Sequence, residues 1–182
     1  MNVDQFVGKK TLIVGEAGSG KTRLLAQLLK ELIGISEPSQ ISVIDLAPEK
    51  ISGIGGPLSL YGDFSNVKYY RPERVYAPRL MACNAEDVKR YAESNAKLAR
   101  EQFQKYLRNP TKMLAVNDIT IFLHAAEVEE LLQYIQKAST FVATAYMGEK
   151  LVEDFGTGLS QTEKSKLTKL IEKVDQVIRL NS

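Results

Sequence analysis

The chain is poor in the residues that build covalent or metal-based sites. It contains one cysteine, Cys83, and one histidine, His124. A single cysteine excludes an internal disulfide and leaves a zinc site without companion ligands. The histidine has no serine, cysteine or second histidine in a recognisable catalytic arrangement, so we interpret it as structural or as a minor substrate contact. No apolar run approaches the length of a membrane span and no charged-then-apolar leader opens the sequence. We therefore expect a soluble, cytoplasmic protein without a membrane partner.

The sequence also has no repeats, low-complexity tracts or linker-like stretches, and we expect a single domain over residues 1–182. The net charge is only +2, but residues 66–112 hold eleven basic side chains against five acidic ones. Within that segment, the stretch from Lys68 to Arg79 combines arginines with tyrosines. It predicts either a docking surface for nucleic acid or an anionic substrate, or a loop whose arginines face a bound nucleotide. Nothing in the sequence opposes an oligomer.

Strand-like apolar runs alternate with helical periodicity along the chain. The predicted strands cover residues 11–14, 41–45, 67–70, 113–116, 140–145 and 176–180. This alternation predicts an α/β fold, with a mostly parallel β-sheet sandwiched by helices. Asn84 is the expected N-cap of a long helix, and Ser160 with Glu163 has the spacing of a capping box for the last helix.

One stretch indicates a phosphate-binding loop. The eight residues from Gly15 to Thr22 match G-x-x-x-x-G-K-[ST], after an apolar strand and before a helix. The glycines allow backbone N–H groups to point at a phosphate, and the helix beginning near Lys21 adds its positive dipole end. Lys21 should reach the β- and γ-phosphates, and the Thr22 hydroxyl should bind Mg²⁺. The expected nucleotide contacts here are Gly15, Glu16, Ala17, Gly18, Ser19, Gly20, Lys21, Thr22 and Arg23.

In this stretch the sequence resembles the P-loop NTPase superfamily. The resemblance implies the P-loop NTPase fold and the binding of ATP or GTP with Mg²⁺. Guanine-specific members carry [NT]-K-x-D, and the nearest match here, residues 172–175, begins with glutamate instead. ATP is therefore the expected nucleotide. The resemblance also places Thr144, at the end of a predicted strand, where related ATPases often have a polar γ-phosphate sensor.

The same resemblance calls for a Walker B carboxylate, and the candidates are Asn117 and Asp118 after the strand at 113–116. In one register, Asn117 replaces the usual aspartate and Asp118 takes the position of the water-polarising glutamate. In the other register, Asp118 itself belongs to the metal shell and no adjacent base remains. We favour the second, because an amide is a poor substitute for a carboxylate beside a dication. Catalysis is thus expected from Lys21 and Asp118, and Mg²⁺ binding from Thr22 and Asp118.

Three functions are compatible with these residues. The first is a Mg²⁺-dependent ATPase that resembles the RecA-like branch and acts as a motor or switch on a partner. The second is a small-molecule or nucleoside kinase, with Asp45 as base and Arg71, Arg74 or Arg79 at the transferred phosphate. The third is a nucleotide-dependent interaction module with little turnover. RecA-like ATPases insert a strand between the P-loop strand and the Walker B strand, whereas kinases leave these two adjacent.

Overall fold

The computed structural model describes residues 2–180, and its centre is one parallel β-sheet. The strands are β1 (Lys10–Gly15), β2 (Ile41–Asp45), β3 (Lys68–Tyr70), β4 (Met113–Asn117), β5 (Thr140–Tyr146) and β6 (Gln176–Leu180). Every pairing is parallel, and the order across the sheet is β3-β2-β4-β5-β1-β6. Strand β5 therefore lies between β1, which leads into the phosphate-binding loop, and β4, which precedes Asn117–Asp118. This is the order expected for the RecA-like branch.

Helices cover both faces of the sheet, as the sequence predicts. They are α1 (Lys21–Ile35), α2 (Pro78–Met81), α3 (Ala85–Arg108), α4 (Thr120–Leu123), α5 (Val128–Ile135) and α6 (Leu159–Ile171). Alternate residues of β1 enter opposite cores, because successive side chains of a strand point to opposite faces. Ile13 packs with α1, whereas Leu12 and Val14 pack with α3 to α6. Between residues 2 and 180, no helix combines the length and apolar character needed to cross a bilayer.

The two predicted helix starts have different outcomes. Asn84 caps α3 as expected, and its side chain accepts a hydrogen bond from the Asp87 N–H at 2.8 Å. The capping box predicted for α6 is wrong. That helix follows Gly158, which has a left-handed backbone, and the Ser160 N–H donates to the Asp154 carboxylate at 3.0 Å. The Glu163 side chain is consequently free to make contacts away from the helix end.

In a parallel sheet, the loops that leave the carboxyl ends of the strands share one edge, and ligands bind there. At this edge β1 ends at Gly15, β2 at Asp45, β4 at Asn117 and β5 at Tyr146. The fold thus brings residues that are far apart in the sequence to one edge of the sheet.

Candidate functional site

The loop between β1 and α1 opens onto a cavity of about 480 Å³. Gly18 and Gly20 adopt φ values of +79° and +89°, which side-chain-bearing residues rarely take, so the loop needs glycine at both positions. A Cβ on Gly15 would lie 2.5 Å from the backbone oxygen of Leu180 on β6. The buried hydroxyl of Ser19 has no hydrogen-bond partner among residues 2–180. An unpaired hydroxyl inside this loop fits a site that receives a ligand rich in oxygen.

The cavity walls come from four parts of the chain. They are the loop residues 17–23, the segment 47–61, the residues 77–80, and a fourth part formed by residues 118–124 with the end of β5 and Leu151. Basic side chains outnumber acidic ones on these walls, since Lys21, Arg23, Lys50 and Arg79 face a single carboxylate, Asp118. A concave site with this charge favours an anionic ligand.

Lys21 is one of the residues that line this cavity. Its Nζ donates to the backbone oxygens of Gly15 at 3.0 Å and Glu16 at 2.6 Å. Burial lowers the pKa of Lys21, and the charges of Asp118 and Glu16 oppose that shift. These carbonyls hold the ammonium beside the loop, where it can exchange them for phosphate oxygens.

Asn117 contacts the Thr22 hydroxyl at the end of the loop. The Thr22 hydroxyl donates to Asn117 Oδ1 at 3.2 Å, and the Thr144 hydroxyl donates to the same oxygen at 2.9 Å. Asn117 is fully buried. The sequence-based preference for Asp118 beside Thr22 is not met, because Asn117 ends β4 one residue earlier and its side chain points at the loop. The geometry favours the register in which Asn117 takes the usual aspartate position.

Asp118 lines the cavity in an unusual backbone conformation, with φ +59°. Its N–H donates to the Thr144 hydroxyl at 2.7 Å, and its carboxylate accepts from the Thr120 hydroxyl. Burial raises the pKa of Asp118, while the Thr120 hydrogen bond and the Lys21 charge oppose this. A non-glycine residue with a left-handed backbone is strained, and such strain often accompanies a functional site. The Thr144 hydroxyl thus contacts both residues of the Asn117–Asp118 pair, because it donates to Asn117 and accepts from the Asp118 N–H.

Asp45 is withdrawn from the cavity. It is fully buried, and it accepts hydrogen bonds from the Leu58 N–H at 2.7 Å, the Tyr69 hydroxyl and Asn117 Nδ2 at 2.9 Å. Burial and the nearby Asp45 charge raise the pKa of Tyr69, so its hydroxyl remains a donor. The role of base that the kinase alternative gives to Asp45 is not supported by this placement, and neither is direct binding of a metal.

Glu16 is turned away from the cavity centre, towards the loop that follows β5. Its carboxylate accepts from the backbone N–H groups of Ala17 at 2.7 Å, Glu149 at 2.7 Å and Lys150 at 3.2 Å. Burial raises the pKa of Glu16, but these three hydrogen bonds and one from Tyr146 outweigh it and hold the pKa below its ordinary value. Glu16 thereby joins the phosphate-binding loop to residues 149 and 150.

A buried ionic cluster that the sequence pattern did not reveal forms another wall. Arg79 donates to both carboxylate oxygens of Glu163, at 3.0 and 2.8 Å, and His124 Nε2 lies 2.6 Å from the same carboxylate. All three side chains are at most 6% exposed. Burial raises the pKa of Glu163, but His124 and Arg79 outweigh that effect and lower it. The sequence did not reveal this cluster because Ser160 and Glu163 have the spacing of a capping box, which predicts a different contact for Glu163.

The remaining cations of the 68–79 stretch do not form one exposed basic face. Arg71 donates to the Ala47 carbonyl at 2.7 Å and pairs with Glu49 at 2.8 Å. The exposed Arg74 lies over the Tyr76 ring, 4.6 Å from its centroid. The loop alternative is closer to the structure than the docking surface, since residues 77–80 line the cavity.

The oxygen atoms at the cavity fit a divalent cation that is also bound by phosphate oxygens. No group of three or more His, Cys, Asp or Glu side chains suited to a metal occurs within residues 2–180. Mg²⁺, however, commonly takes only one or two protein oxygens and completes its shell with phosphate and water. Thr22 and Asn117 offer a hydroxyl and an amide oxygen in direct contact, and Asp118 adds a carboxylate at the cavity wall. This set of hard oxygen ligands suits Mg²⁺.

Among the comparisons with known proteins, one solved structure shares the fold. No protein-family model matches the chain. ABC transporter I family member 21 of Arabidopsis thaliana is 25% identical over 208 residues, covering 97% of this chain and 72% of the relative. The crystal structure of the flagellar accessory protein FlaH from Methanocaldococcus jannaschii matches with a TM-score of 0.52 at 13% identity, covering 98% and 76% of the two chains. The Pif1 helicase from Candida albicans, at 16% identity, covers 100% of this chain and 39% of its own, and its TM-score of 0.42 is too low to bear on the fold.

Proposed function

We propose that this chain, which belongs to the P-loop NTPase superfamily, binds ATP with Mg²⁺ in the cavity and hydrolyses it. The observation that carries the proposal is the convergence of the loop 15–22 with Asn117, Asp118 and Thr144 at one edge of the sheet. Strand β5 lies between β1 and β4, which is the order of the ATPase branch. The absence of an [NT]-K-x-D sequence supports ATP over GTP.

In this proposal, the backbone N–H groups of the loop and the start of α1 hold the phosphates. Lys21 exchanges its two carbonyl contacts for β- and γ-phosphate oxygens, and Ser19 supplies its unpaired hydroxyl. Thr22 and Asn117 would hold Mg²⁺, which would neutralise charge on the transferred phosphoryl group. Arg79, which is paired with Glu163, lies on another part of the cavity wall.

The proposed reaction is attack of water on the γ-phosphorus. A bond forms between the water oxygen and phosphorus, the bond to the bridging oxygen breaks, and ADP and inorganic phosphate leave. Asp118 orients the water and accepts its proton, because it is the one carboxylate on the described cavity walls. Thr144 fixes Asp118 through its backbone N–H and can report on the γ-phosphate.

The two other functions make distinguishable predictions. A kinase would place the P-loop strand beside the Walker B strand and would use Asp45 as base, and neither arrangement occurs here. An interaction module with little turnover would use the same binding residues without hydrolysis. A role as motor or switch on a partner extends the ATPase proposal and predicts that the partner changes the hydrolysis rate.

Nucleotide-dependent stabilisation tests the binding part of the proposal. At a hundred times the dissociation constant, ATP with Mg²⁺ should stabilise the fold by about 2.7 kcal/mol, which raises Tm by about 5–10 °C for a chain of this size. Lys21→Ala should weaken ATP binding in calorimetry on the order of tenfold or more. Lys169→Ala, at an exposed lysine on α6, is the matched control and should bind as the parent does. Unchanged ATP affinity in Lys21→Ala would contradict the assignment.

A further inference from the structure

Asp45 lies where it can act on the proposed metal site through another residue. It ends β2 directly opposite Asn117, its register partner at the end of β4. Asn117 Nδ2 donates to Asp45 Oδ1 at 2.9 Å, and both residues are fully buried. The remaining groups that face the carboxylate also donate or carry positive charge, including the Ala47 N–H at 3.3 Å and the Arg71 guanidinium at 3.5 Å.

These contacts fix which end of the Asn117 amide faces the loop. A carboxylate with only donors around it accepts hydrogen bonds, so the amide must turn its NH₂ group towards Asp45. The oxygen then points the other way, at Thr22 and Thr144. Thr144 gives the same answer independently, because its hydroxyl already accepts from the Asp118 N–H and has its own proton left to donate.

We propose that Asp45 is a positioning residue that supplies, one hydrogen bond away, the negative charge which the amide of Asn117 lacks. It aims the Asn117 oxygen at the Thr22 hydroxyl, with which it would hold Mg²⁺, and its charge polarises the amide so that this oxygen is a stronger ligand. Outer hydrogen-bond partners commonly orient and tune metal ligands in this way. The inference rests on the proposed function, and it explains how an amide can stand where P-loop ATPases usually have an aspartate.

A purely structural role for Asp45 makes a different prediction. Through Leu58 and Tyr69 the carboxylate also holds the segment after β2 and strand β3, and those contacts stabilise the fold whether or not a metal binds. The experiment must therefore measure a quantity that a change in folding stability alone does not alter. The ratio of the ADP dissociation constants without and with Mg²⁺, measured by calorimetry, is such a quantity.

The experiment is a charge-swap cycle of three variants: Asp45→Asn, Asn117→Asp and the double variant. In Asp45→Asn the Asn117 amide loses both its fixed orientation and the nearby charge. We expect the Mg²⁺-dependent ratio to fall on the order of tenfold, while metal-free ADP affinity stays within about threefold of the parent. Asn117→Asp places two buried carboxylates in contact and should be strongly destabilised without Mg²⁺. The double variant restores one carboxylate and one amide, and should return the ratio to within about threefold of the parent.

Tyr69→Phe is the matched control, since it removes a hydrogen bond to Asp45 but leaves Asn117 untouched. It should lower Tm and leave the Mg²⁺-dependent ratio unchanged. The proposal is overturned if Asp45→Asn keeps the parent's ratio, or if the double variant is no better than the poorer single variant. If Asp45→Asn does not fold, the double variant and Asn117→Asp still decide the question by the same comparison. If the parent protein binds ADP equally well with and without Mg²⁺, the proposed function is overturned, and this inference with it.

Discussion

Arg79 carries a positive charge between the cavity and the interior of the protein. Its guanidinium forms a two-point contact with Glu163, and the Tyr146 ring lies 5.0 Å from it. Both partners of the ion pair are almost completely buried. Removing Arg79 leaves the buried Glu163 carboxylate with His124 as its partner, and breaking a buried pair is far more costly than the loss of an exposed pair.

Replacing Arg79 by alanine should therefore lower the free energy of unfolding by about 3–5 kcal/mol, measured by urea denaturation. Arg74→Ala is the matched control in the same stretch. Arg74 is exposed and makes one contact with an aromatic ring, so its loss should cost about 1 kcal/mol or less. Equal destabilisation by the two substitutions would show that the Arg79–Glu163 pair does not carry the stability that its burial indicates.

Individual site residues differ in how far the sequence determined them. Lys21 and Thr22 follow from a spacing that phosphate chemistry requires, and the structure places both on the cavity. The choice between Asn117 and Asp118 could not be made from spacing, because a one-residue difference at a strand end reverses which side chain faces the loop. The contacts with Thr22, Thr144 and Asp45 settle that orientation.

At the scale of elements, Glu16 couples the phosphate-binding loop to the loop after β5. Its carboxylate accepts hydrogen bonds from backbone N–H groups of both segments. Gly148 packs so closely against this carboxylate that an added Cβ would clash with it. These contacts join residues 148–150 to the loop 15–22 on that side of the cavity. A change in the phosphate-binding loop should be transmitted to the segment that leads into α6.

Glu16→Gln should release the second loop, because an amide accepts hydrogen bonds more weakly than a carboxylate. We expect the backbone amides of Glu149 and Lys150 to exchange with solvent deuterium on the order of tenfold faster, while amides in β4 keep the parent's protection. Glu149→Gln is the control, since it removes an exposed charge of the same loop without touching the contact. Identical exchange at residues 149 and 150 in the parent and Glu16→Gln would refute the coupling.

Elements were predictable where local physics decides them. The apolar runs became strands, and the Asn84 cap was confirmed because its hydrogen bond spans only three residues. The Ser160–Glu163 pattern failed because Glu163 binds Arg79, 84 residues earlier in the chain. A long-range ion pair competes with a local cap, and no local pattern reports which one prevails.

At the scale of the whole molecule, the sheet order decides which function the site can support. The alternation of strands and helices predicts a parallel sheet, but it does not predict that β5 is inserted between β1 and β4. That insertion depends on which strands bury each other's edges, and the sequence pattern carries no signal for it. The same order brings Thr144 within hydrogen-bond distance of Asn117.

The free energy of unfolding should decrease at low pH because of Glu163. The pKa of this buried carboxyl lies below its ordinary value of 4.5, so the folded state binds its proton less readily than the unfolded state. The stabilisation is thus present above about pH 4.5 and is lost as the pH falls through the lowered pKa. Urea denaturation from pH 7 to pH 3 should show this loss in the parent and a flatter profile in Glu163→Gln. Glu172→Gln, at an exposed position, should follow the parent, and an unaltered profile in Glu163→Gln would exclude this origin.

The rate of phosphate release from ATP in Asp118→Asn tests the central claim most directly. Asp118 is the carboxylate on the cavity wall that can orient the attacking water, and the substitution preserves its shape while removing its charge. The account predicts that steady-state release with Mg²⁺ falls at least about a hundredfold, the scale of a lost general base, while metal-free ATP binding persists. Asp63→Asn, at an exposed aspartate, should retain the parent's rate. An Asp118→Asn protein that releases phosphate as fast as the parent would contradict the account.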